Sequence, residues 1–408
     1  MADKKIKMPG ELISHSLSPQ EQLVEVITNK FRLSIGIPKE NSFQENRISL
    51  TPKSVEVLVN RGHYIIVETN AGEAAHFYDT DFSEAGAEIG YSHEDVFKCD
   101  IIIKAAPLTE DELKLLHHNQ IIISPIHLPT MDELHIRSMM DKKITALAYE
   151  WIKDDDGTFP IVRSMSEIAG NTSILLAAYY LGNLRLGKGI LLGGMTGIPP
   201  ANIVILGAGT VGEYAARTAL GLGAEVKIFD NSIYKLKRLQ SNIGHRVYTS
   251  IILQDILTEA LQNADVAVGA IHSIDGRAPI IVTEEMVQKM KAGSVIIDVS
   301  IDQGGCFETS ELTNHERPYF KKYDVIHHCV PNMASRVPRT ASVAISNVLT
   351  PALIEAGNAG GFDKLIQQHA NLRNGVYMFK GSTTNKHIAD KFGVKFMDLD
   401  LLFASTMY

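Results

Sequence analysis

One segment in the second half of the chain constrains the fold more than any other. An apolar run, IVIL at residues 203–206, leads directly into GAGTVG at residues 207–212, and an alanine-rich, helix-forming stretch follows. A buried strand that runs through GxGxxG into a helix is typical of the first βαβ unit of a Rossmann domain. A second apolar run, AEVKIF, comes next, and Asp230 stands at its end. The chain is therefore predicted to contain a doubly wound parallel sheet with a dinucleotide site at this turn.

Each glycine of the turn has a predicted role. Gly207 permits the tight turn, Gly209 lets the backbone approach a pyrophosphate, and Gly212 lets the helix pack closely on the strand. The helix begins with Thr210 and Val211, and the positive end of its dipole then points at the phosphate charge. Glycines that only punctuate a strand–helix turn are the alternative. The strand, the helix, the second strand and the acidic residue all stand in register with the motif, which favours the dinucleotide site.

Asp230 also indicates which cofactor binds. A carboxylate at the end of the second strand accepts hydrogen bonds from the adenosine ribose hydroxyls and repels a 2′-phosphate, so the sequence favours NAD over NADP. Lys235 and Lys237 lie in the next helix-forming segment. Their positive charges leave NADP as an alternative, and we include Lys235 among the candidate cofactor contacts.

The rest of the chain alternates apolar runs with helical patterns. Runs of Ile and Val separated by helices indicate parallel strands that are buried on both faces. In the first half the runs are LSIGI, YIIVE, DIIIK, IIISPI and ITALAYE; in the second half they are NIVILGAG, AEVKIFD, ADVAVGAI, SVIIDVS and VIHHCV. The predicted fold class is α/β, with two Rossmann-like parallel-sheet domains.

Chain length and helical stretches predict where the domains divide. A chain of 408 residues exceeds what one hydrophobic core usually serves. Residues 161–339 are predicted to form the NAD-binding domain. The residues that follow the last long helical stretch are too few for a domain of their own, so residues 31–160 and 340–408 are predicted to form one discontinuous substrate domain. Residues 1–30 are predicted to be an appendage with an amphipathic helix at the capping pattern SPQE.

Composition excludes several classes of protein. A net charge of −8 and a pI near 6.0 offer no electrostatic footprint for nucleic acid or an anionic membrane. No apolar stretch approaches the ~20 residues that span a bilayer, and the N-terminus lacks a signal-type apolar core. Cys99, Cys306 and Cys329 lie far apart, without the spacing of a metal or redox motif. We therefore expect a cytoplasmic protein without a bound metal.

Several segments together resemble a known family. They are IPKENSFQENRISLTP, AYEWIKDDDGTFP, MSEIAGN, LLGGMTGIPPA, VILGAGTVG, DVSIDQGGCFETS and CVPNMASRVPRT. In this order they are similar to segments of the alanine dehydrogenases and of the related NAD-binding subunit of transhydrogenase, over residues 31–408. The resemblance implies two domains that flank a cleft and the reversible, NAD-dependent oxidation of L-alanine to pyruvate and ammonia. It also implies a homo-oligomer, a hexamer in that family, with a dimer as the alternative.

The resemblance further implies roles for individual residues. Arg47, in RISLTP, matches the residue that binds the substrate carboxylate, and a guanidinium suits this task because it meets a carboxylate with two parallel hydrogen bonds. His127, in SPIHLP, matches the histidine that takes up the proton as the amine becomes an imine. Asp302, in SIDQGG, matches the aspartate that positions and deprotonates the attacking water. The remaining matched positions contact the cofactor, and Asn332 also serves the substrate: Ser166, Ile301, Asn332 and Met333.

Taken singly, these residue types have more ordinary explanations. An arginine before an apolar run often forms a surface ion pair, a histidine in an Ile-rich strand often lies in the core, and an aspartate after a strand often caps a helix. Arg47, His127 and Asp302 all stand at or just past strand ends, where α/β sheets place their ligands. Together they favour a catalytic cleft.

Two positions depart from the family's pattern. The family carries two lysines in a strand-end motif K-V-K-E-P, and the second holds the substrate; here Lys104 falls on the first and Ala106 on the second. Lys104 is the candidate that would replace this contact; otherwise the substrate differs or activity is lost. Glu311 stands where the family usually has an arginine near the cofactor phosphates. Three functions stay open: an alanine dehydrogenase, a saccharopine-type dehydrogenase of another amine, and a non-catalytic, redox-sensing NAD(H)-binding protein.

Overall fold

A computed structural model describes residues 31–41, 44–128, 131–273 and 276–405. The predicted appendage at residues 1–30, with its helix at SPQE, lies outside these residues. The strands, in chain order, are β1 (Ser34–Ile37), β2 (Tyr64–Glu68), β3 (Glu88–Gly90), β4 (Ile101–Ile103), β5 (Ile121–Ser124), β6 (Thr145–Ala148), β7 (Asn202–Leu206), β8 (Glu225–Phe229), β9 (Tyr248–Ser250), β10 (Val266–Gly269), β11 (Val295–Asp298), β12 (Phe320–Lys322), β13 (Val325–His328), β14 (Val376–Phe379) and β15 (Ser382–Thr383).

Helices connect and cover these strands. The α-helices are α1 (Pro52–Val59), α2 (Asp79–Glu84), α3 (His93–Val96), α4 (Glu110–Leu115), α5 (Glu133–Asp141), α6 (Pro160–Gly182), α7 (Thr210–Gly221), α8 (Ile233–Ile243), α9 (Gln254–Asn263), α10 (Glu284–Gln288), α11 (Pro338–Ala359), α12 (Phe362–Gln368), α13 (Ala370–Arg373), α14 (Lys386–Phe392) and α15 (Leu399–Ser405). Short 3-10 helices lie at Glu73–Ala75, Tyr149–Trp151, Val299–Gln303 and Met333–Arg336. None of the helices in the described ranges has both the length and the hydrophobicity of a membrane-spanning segment.

The strands form two sheets with the same internal order. The first sheet runs β15-β14-β6-β5-β4-β1-β2-β3, and the second runs β12-β13-β11-β10-β7-β8-β9. In each sheet the first strand along the chain, β1 or β7, is flanked by its second and fourth, which is the strand order of a Rossmann fold. The pairings among β1–β6 and among β7–β11 and β13 are parallel, and β12, β14 and β15 pair antiparallel. The predicted α/β fold with two Rossmann-like sheets is confirmed.

The apolar runs form strands because both faces of each sheet are covered. In the run DIIIK, Ile101 and Ile103 point into one hydrophobic cluster and Ile102 points into another on the opposite face. In the glycine-turn strand, Ile205 and Val204 divide between two clusters in the same way. Successive side chains of a strand face opposite sides, so a strand buried on both sides needs apolar residues at every position.

The chain passes between the two sheets at α6 and returns at α11. α6 packs against both α7 and α11. After α11, β14 pairs with β6 of the first sheet, and Ile345 and Leu349 of α11 lie in the same hydrophobic cluster as Ile35 of β1. These contacts support a discontinuous domain of residues 31–160 and 340–408 around residues 161–339. The domain boundaries themselves stay a prediction.

Candidate active site

The glycine turn lies where the strand order of the second sheet reverses. Gly207 has a φ of 109°, and a Cβ there would lie 2.3 Å from the carbonyl oxygen of Ala270. A Cβ on Gly212 would lie 1.9 Å from the carbonyl oxygen of Gly207, whereas a Cβ on Gly209 would meet nothing within 4 Å. Backbone atoms thus pack closely against Gly207 and Gly212, whereas the space beside Gly209 is open. This open space beside the N-terminus of α7 fits the pyrophosphate of a dinucleotide.

Asp230 follows β8 directly and lies buried beside the turn. Its Oδ2 accepts a hydrogen bond from the backbone N–H of Ala208 at 2.8 Å, and its Oδ1 accepts one from Ser232 at 2.7 Å. The carboxylate is therefore fixed at the turn, and each oxygen retains a lone pair for a ribose hydroxyl. Lys235 lies in the first turn of α8 and is exposed.

A cavity of about 330 Å³ joins the two sheets next to the glycine turn. It is lined from the first sheet's side by Arg47, Tyr149 and Glu150, from α6 by Ser166, and from the second sheet's side by Asp302 and Asn332. Val211 and Met333 also line it, whereas Ile301 is buried directly beside Asp302. Residues from both halves of the chain therefore meet around one cleft.

Arg47 is held in the cleft by a carboxylate that the sequence analysis missed. Its Nε donates to Glu45 Oε1 at 2.7 Å, and its Nη2 donates to Glu45 Oε2 at 2.5 Å. Burial opposes the positive charge, but the hydrogen bonds and charge of Glu45 more than compensate and raise the pKa of Arg47. Asn332 links this pair to the other sheet, since its Nδ2 donates to Glu45 Oε2 at 3.0 Å and its backbone N–H donates to Asp302 Oδ1 at 2.8 Å.

The charges of two other predicted site residues, His127 and Arg47, act on Asp302. Burial within the cleft raises the pKa of Asp302, while the hydrogen bond from Asn332 and the charges of His127 and Arg47 lower it in part. Arg47 and Asp302 both line the cavity, whereas His127 is not among the described residues that line it. His127 is exposed at the end of β5, where the neighbouring Ile126 N–H donates to Glu150 Oε1 at 2.6 Å.

Lys104 does not contribute to the lining of this cleft. Its side chain is 0% exposed, and its Nζ donates to Glu40 Oε2 and Glu112 Oε1, each at 2.7 Å. Glu112 also contacts His93 at 3.1 Å. The predicted substrate contact of Lys104 has no counterpart in this arrangement, because two buried carboxylates already enclose its ammonium. Ala106, where the family has its second lysine, is buried too.

The charges around Lys104 lie at the carboxyl-terminal ends of β1, β2 and β4, where the strand order of the first sheet reverses. Glu40 Oε1 also accepts hydrogen bonds from the backbone N–H groups of Ala105 at 2.5 Å and Ala106 at 3.2 Å. Ala105 in turn accepts a hydrogen bond from the buried hydroxyl of Tyr149 at 3.0 Å. The network thus fixes the loop after β4 and, through it, Tyr149 in the cleft. Glu311 lies exposed in the loop before β12.

Glu150 is a second carboxyl group of the cleft that the sequence analysis missed. Its Oε1 accepts the Ile126 hydrogen bond, and its Oε2 has no hydrogen-bond partner among the described residues. Burial raises the pKa of Glu150 to about 7. Its place two residues after β6 was the available signal, since ligands of parallel sheets bind at the carboxyl ends of strands.

Within the described ranges, no group of three or more His, Cys, Asp or Glu side chains could hold a metal ion. Cys99, Cys306 and Cys329 are free and buried.

The fold and the cleft define a two-domain protein of the dinucleotide-binding class. The N-terminal domain of "Alanine dehydrogenase/PNT" matches residues 36–169, and the C-terminal domain of the same family matches residues 173–386. The chain belongs to the alanine dehydrogenase/PNT family.

Individual relatives agree with this assignment. "Alanine dehydrogenase 2" of Staphylococcus aureus strain USA300 is 37% identical over 369 residues, which are 90% of this chain and 99% of that protein. A solved structure of L-alanine dehydrogenase superposes with a TM-score of 0.82 at 36% identity, covering 88% of this chain and 99% of that one. The transhydrogenase of Sinorhizobium meliloti superposes with a TM-score of 0.73 at 24% identity over 86% of this chain and 99% of that one, and so shares the fold.

Proposed function

We propose that this protein is an NAD-dependent alanine dehydrogenase, which oxidises L-alanine reversibly to pyruvate and ammonia. One observation carries the proposal. Arg47 and Asp302, from opposite sheets, line a single cavity beside the glycine turn. A carboxylate-binding arginine, a carboxyl group and a dinucleotide cradle at one cleft are the groups that an amino-acid dehydrogenase needs. The similarity to alanine dehydrogenases over most of both chains supports the same function.

NAD, when bound, would accept the hydride that leaves the substrate's Cα. Gly207, Gly209 and Gly212 would hold its pyrophosphate, with Thr210 and Val211 at the helix N-terminus, and Asp230 would hold the ribose. Residues on the cleft side would contact the nicotinamide half: Ser166, Ile301, Asn332 and Met333.

The chain's own residues then divide the remaining work. Arg47 donates to the substrate carboxylate from its Nη1 side, because Glu45 already engages Nε and Nη2. Nη1 contacts the thioether sulfur of Met165 at 3.3 Å, a weak acceptor that a carboxylate can replace. His127 takes up the proton of the α-amine, and Asp302 orients and deprotonates the water that attacks the imine. These groups must hold the substrate so that the reacting atoms lie about 3–3.5 Å apart.

The direct test is to follow NADH formation with L-alanine and NADH consumption with pyruvate plus ammonia. We expect turnover in both directions with NAD(H) and much less with NADP(H). His127→Ala should abolish turnover and leave NAD binding intact, since His127 acts on the substrate's proton. Vigorous alanine oxidation by that variant would contradict the assigned role.

A second candidate is a dehydrogenase of a different amine, of the saccharopine type. The observation that favours it is the enclosure of Lys104 by Glu40 and Glu112, with Ala106 at the position of the second lysine. Turnover with another amine and none with alanine would select this candidate. NAD(H) binding without turnover of any amine would instead select a redox-sensing protein.

We also propose that the protein is a cytoplasmic homo-oligomer, either the hexamer of the resembling family or a dimer. A cytoplasmic location is supported by the free state of Cys99, Cys306 and Cys329. Association is supported by an exposed apolar surface, which we call the α6 surface. It consists of Leu175, Tyr179, Leu184, Ile190, Leu191, Met195 and Ile198.

A further inference from the structure

A histidine that the proposed function does not use lines the cleft. Among the described residues that form the wall of the cavity, His272 is the one histidine. It follows the last residue of β10 by three positions and is exposed to solvent. Its imidazole forms no hydrogen bond or ion pair with another residue of the described chain. Its ring nitrogens can therefore bond to a ligand in the cleft.

The backbone on both sides of His272 is fixed. The N–H of Ile271 donates to Ser300 Oγ at 2.9 Å. Ser273 forms two hydrogen bonds with the side chain of Gln303, since its N–H donates to Oε1 and its carbonyl oxygen accepts from Nε2, each at 2.9 Å. Both partners belong to the short 3-10 helix that follows β11. His272 is therefore held in place before a ligand binds, which lowers the entropic cost of a contact.

The strand order places His272 on the nicotinamide side of the glycine turn. β7 leads into the turn and lies between β8 and β10 in the second sheet. With the adenosine ribose at Asp230, which follows β8, a dinucleotide that crosses the turn extends its other half toward the loop after β10. This loop abuts the turn, because the carbonyl oxygen of Ala270 lies 2.3 Å from the position of a Cβ on Gly207. The first group beyond the pyrophosphate on this side is the ribose that carries the nicotinamide.

We propose that His272 binds the nicotinamide ribose of NAD through a hydrogen bond between its imidazole and a ribose hydroxyl. A neutral imidazole offers one donor and one acceptor nitrogen, and a hydroxyl group both donates and accepts. A ribose that is held at this point also restrains the nicotinamide ring, whose C4 must lie close to the Cα of the substrate. The proposal rests on the proposed function, because it requires NAD in this cleft.

Fragments of the cofactor locate the contact. ADP-ribose contains the second ribose, whereas ADP ends at the pyrophosphate. In calorimetric titrations, His272→Ala should bind ADP-ribose about three- to tenfold more weakly than the unsubstituted protein, as the loss of one neutral hydrogen bond implies. Its affinity for ADP should stay unchanged. Equal weakening of both fragments would place the imidazole at the pyrophosphate and overturn the assignment to the ribose, and unchanged affinity for both would overturn the contact.

Two further variants separate hydrogen bonding from shape. The amide of His272→Gln keeps a donor and an acceptor, so this variant should bind ADP-ribose more tightly than His272→Ala; no difference between them would count against a hydrogen bond. His118→Ala is the matched control, because His118 is also exposed and precedes β5, at the sheet edge opposite the cleft. The control should bind both fragments as the unsubstituted protein does. Thermal unfolding verifies that all three variants fold.

Alanine turnover separates failure of this proposal from failure of the proposed function. If the unsubstituted protein oxidises alanine and His272→Ala binds ADP-ribose with unchanged affinity, the proposed function stands and the role of His272 is wrong. If the unsubstituted protein binds NADH but turns over no amino acid, the proposed function fails, and the fragment titrations still decide the role of His272. A raised KM for alanine in His272→Ala, with unchanged ADP-ribose affinity, would place the imidazole at the substrate and overturn the proposal.

Discussion

At the residue scale, Asp230 serves both the turn and the cofactor. Asp230→Ala removes the acceptor of the Ala208 and Ser232 N–H groups together with the charge that repels a 2′-phosphate. We expect weaker NAD binding and a smaller preference for NAD over NADP in calorimetric titrations. Asp230→Asn is the matched variant, since it removes the charge and one of the two acceptor oxygens but keeps the other. Equal affinity of the unsubstituted protein for both cofactors would contradict this assignment.

Lys104 is a buried charge whose removal takes the ammonium partner from Glu40 and leaves Glu112 with His93. Lys104→Met should lower the free energy of unfolding by about 3–5 kcal/mol, because breaking a buried ion pair from one side strands the partner charge. Urea denaturation measures the loss. Lys98→Met is the control, since Lys98 forms an exposed pair with Asp95, and such pairs contribute little. A Lys104→Met protein as stable as the control would show that the network does not stabilise the fold.

The same residues show where prediction from the sequence ends at this scale. Arg47, Asp302 and Asn332 could be predicted because each lies in a segment that resembles a known family. The pairing of Lys104 could not, since Glu40 is 64 positions away and Glu112 lies on a helix that packs there only in the folded chain. Glu45 and Glu150 lie in matched segments as well, but their partners and burial depend on how the two sheets meet.

At the element scale, the glycines of the turn have two different roles. Gly207 and Gly212 are needed for packing, whereas Gly209 leaves space for the ligand. Gly209→Ala places a methyl group in open space, so the unfolding temperature should stay unchanged while the pyrophosphate is obstructed and NAD affinity falls. Differential scanning calorimetry and NAD titration measure the two effects. Gly221→Ala, at the end of α7, also meets nothing within 4 Å and should alter neither. Unchanged NAD affinity in Gly209→Ala would place the pyrophosphate elsewhere.

The start of α3 predicts a pH dependence of stability. Hydrogen bonds to Glu112 and Glu68 raise the pKa of His93 from 6.5 to about 9. A histidine whose pKa is higher in the folded state stabilises the protein fully below about pH 6.5, and this contribution is lost as the pH rises through about 9. The free energy of unfolding should therefore fall across this window, and His93→Gln should flatten the fall. His118→Gln, an exposed control, should leave the fall unchanged. If the free energy of unfolding of His93→Gln falls as steeply with pH as that of the unsubstituted protein, His93 is not the source of the pH dependence.

The main strands were predictable because burial on both faces demands apolar residues in succession. DIIIK, IIISPI and SVIIDVS are such runs, and each contains a strand. The strands β3, β9, β12 and β15 were not predicted, since each has only two or three residues and none of them is a continuous apolar run. β14 was also missed as a strand; it completes the first sheet only because α11 returns the chain to β6.

At the scale of the whole molecule, the parallel strands of the two sheets follow the same order. The residues at the point where that order reverses differ between the two sheets. In the second sheet the reversal is lined by glycines and stays open for a ligand. In the first sheet the corresponding position is filled by Lys104 and its carboxylates, which exclude a ligand and fix the loop after β4. The reversal in the second sheet thus fits the cofactor. The reversal in the first sheet supports the opposite wall of the cleft.

The exposed apolar residues of the α6 surface predict that the protein associates with further copies of itself. Leu191, in the α6 surface, is 70% exposed in a single chain, and clustered exposed apolar residues often mark an interface. Leu191→Glu should convert the oligomer to smaller species, because it buries an unpaired charge at the contact; sedimentation velocity measures the mass. Leu134→Glu is the matched control, since Leu134 is 68% exposed on α5, outside this surface, and should leave the mass unchanged. A monomeric unsubstituted protein, or an unchanged mass in Leu191→Glu, would show that this surface does not mediate assembly.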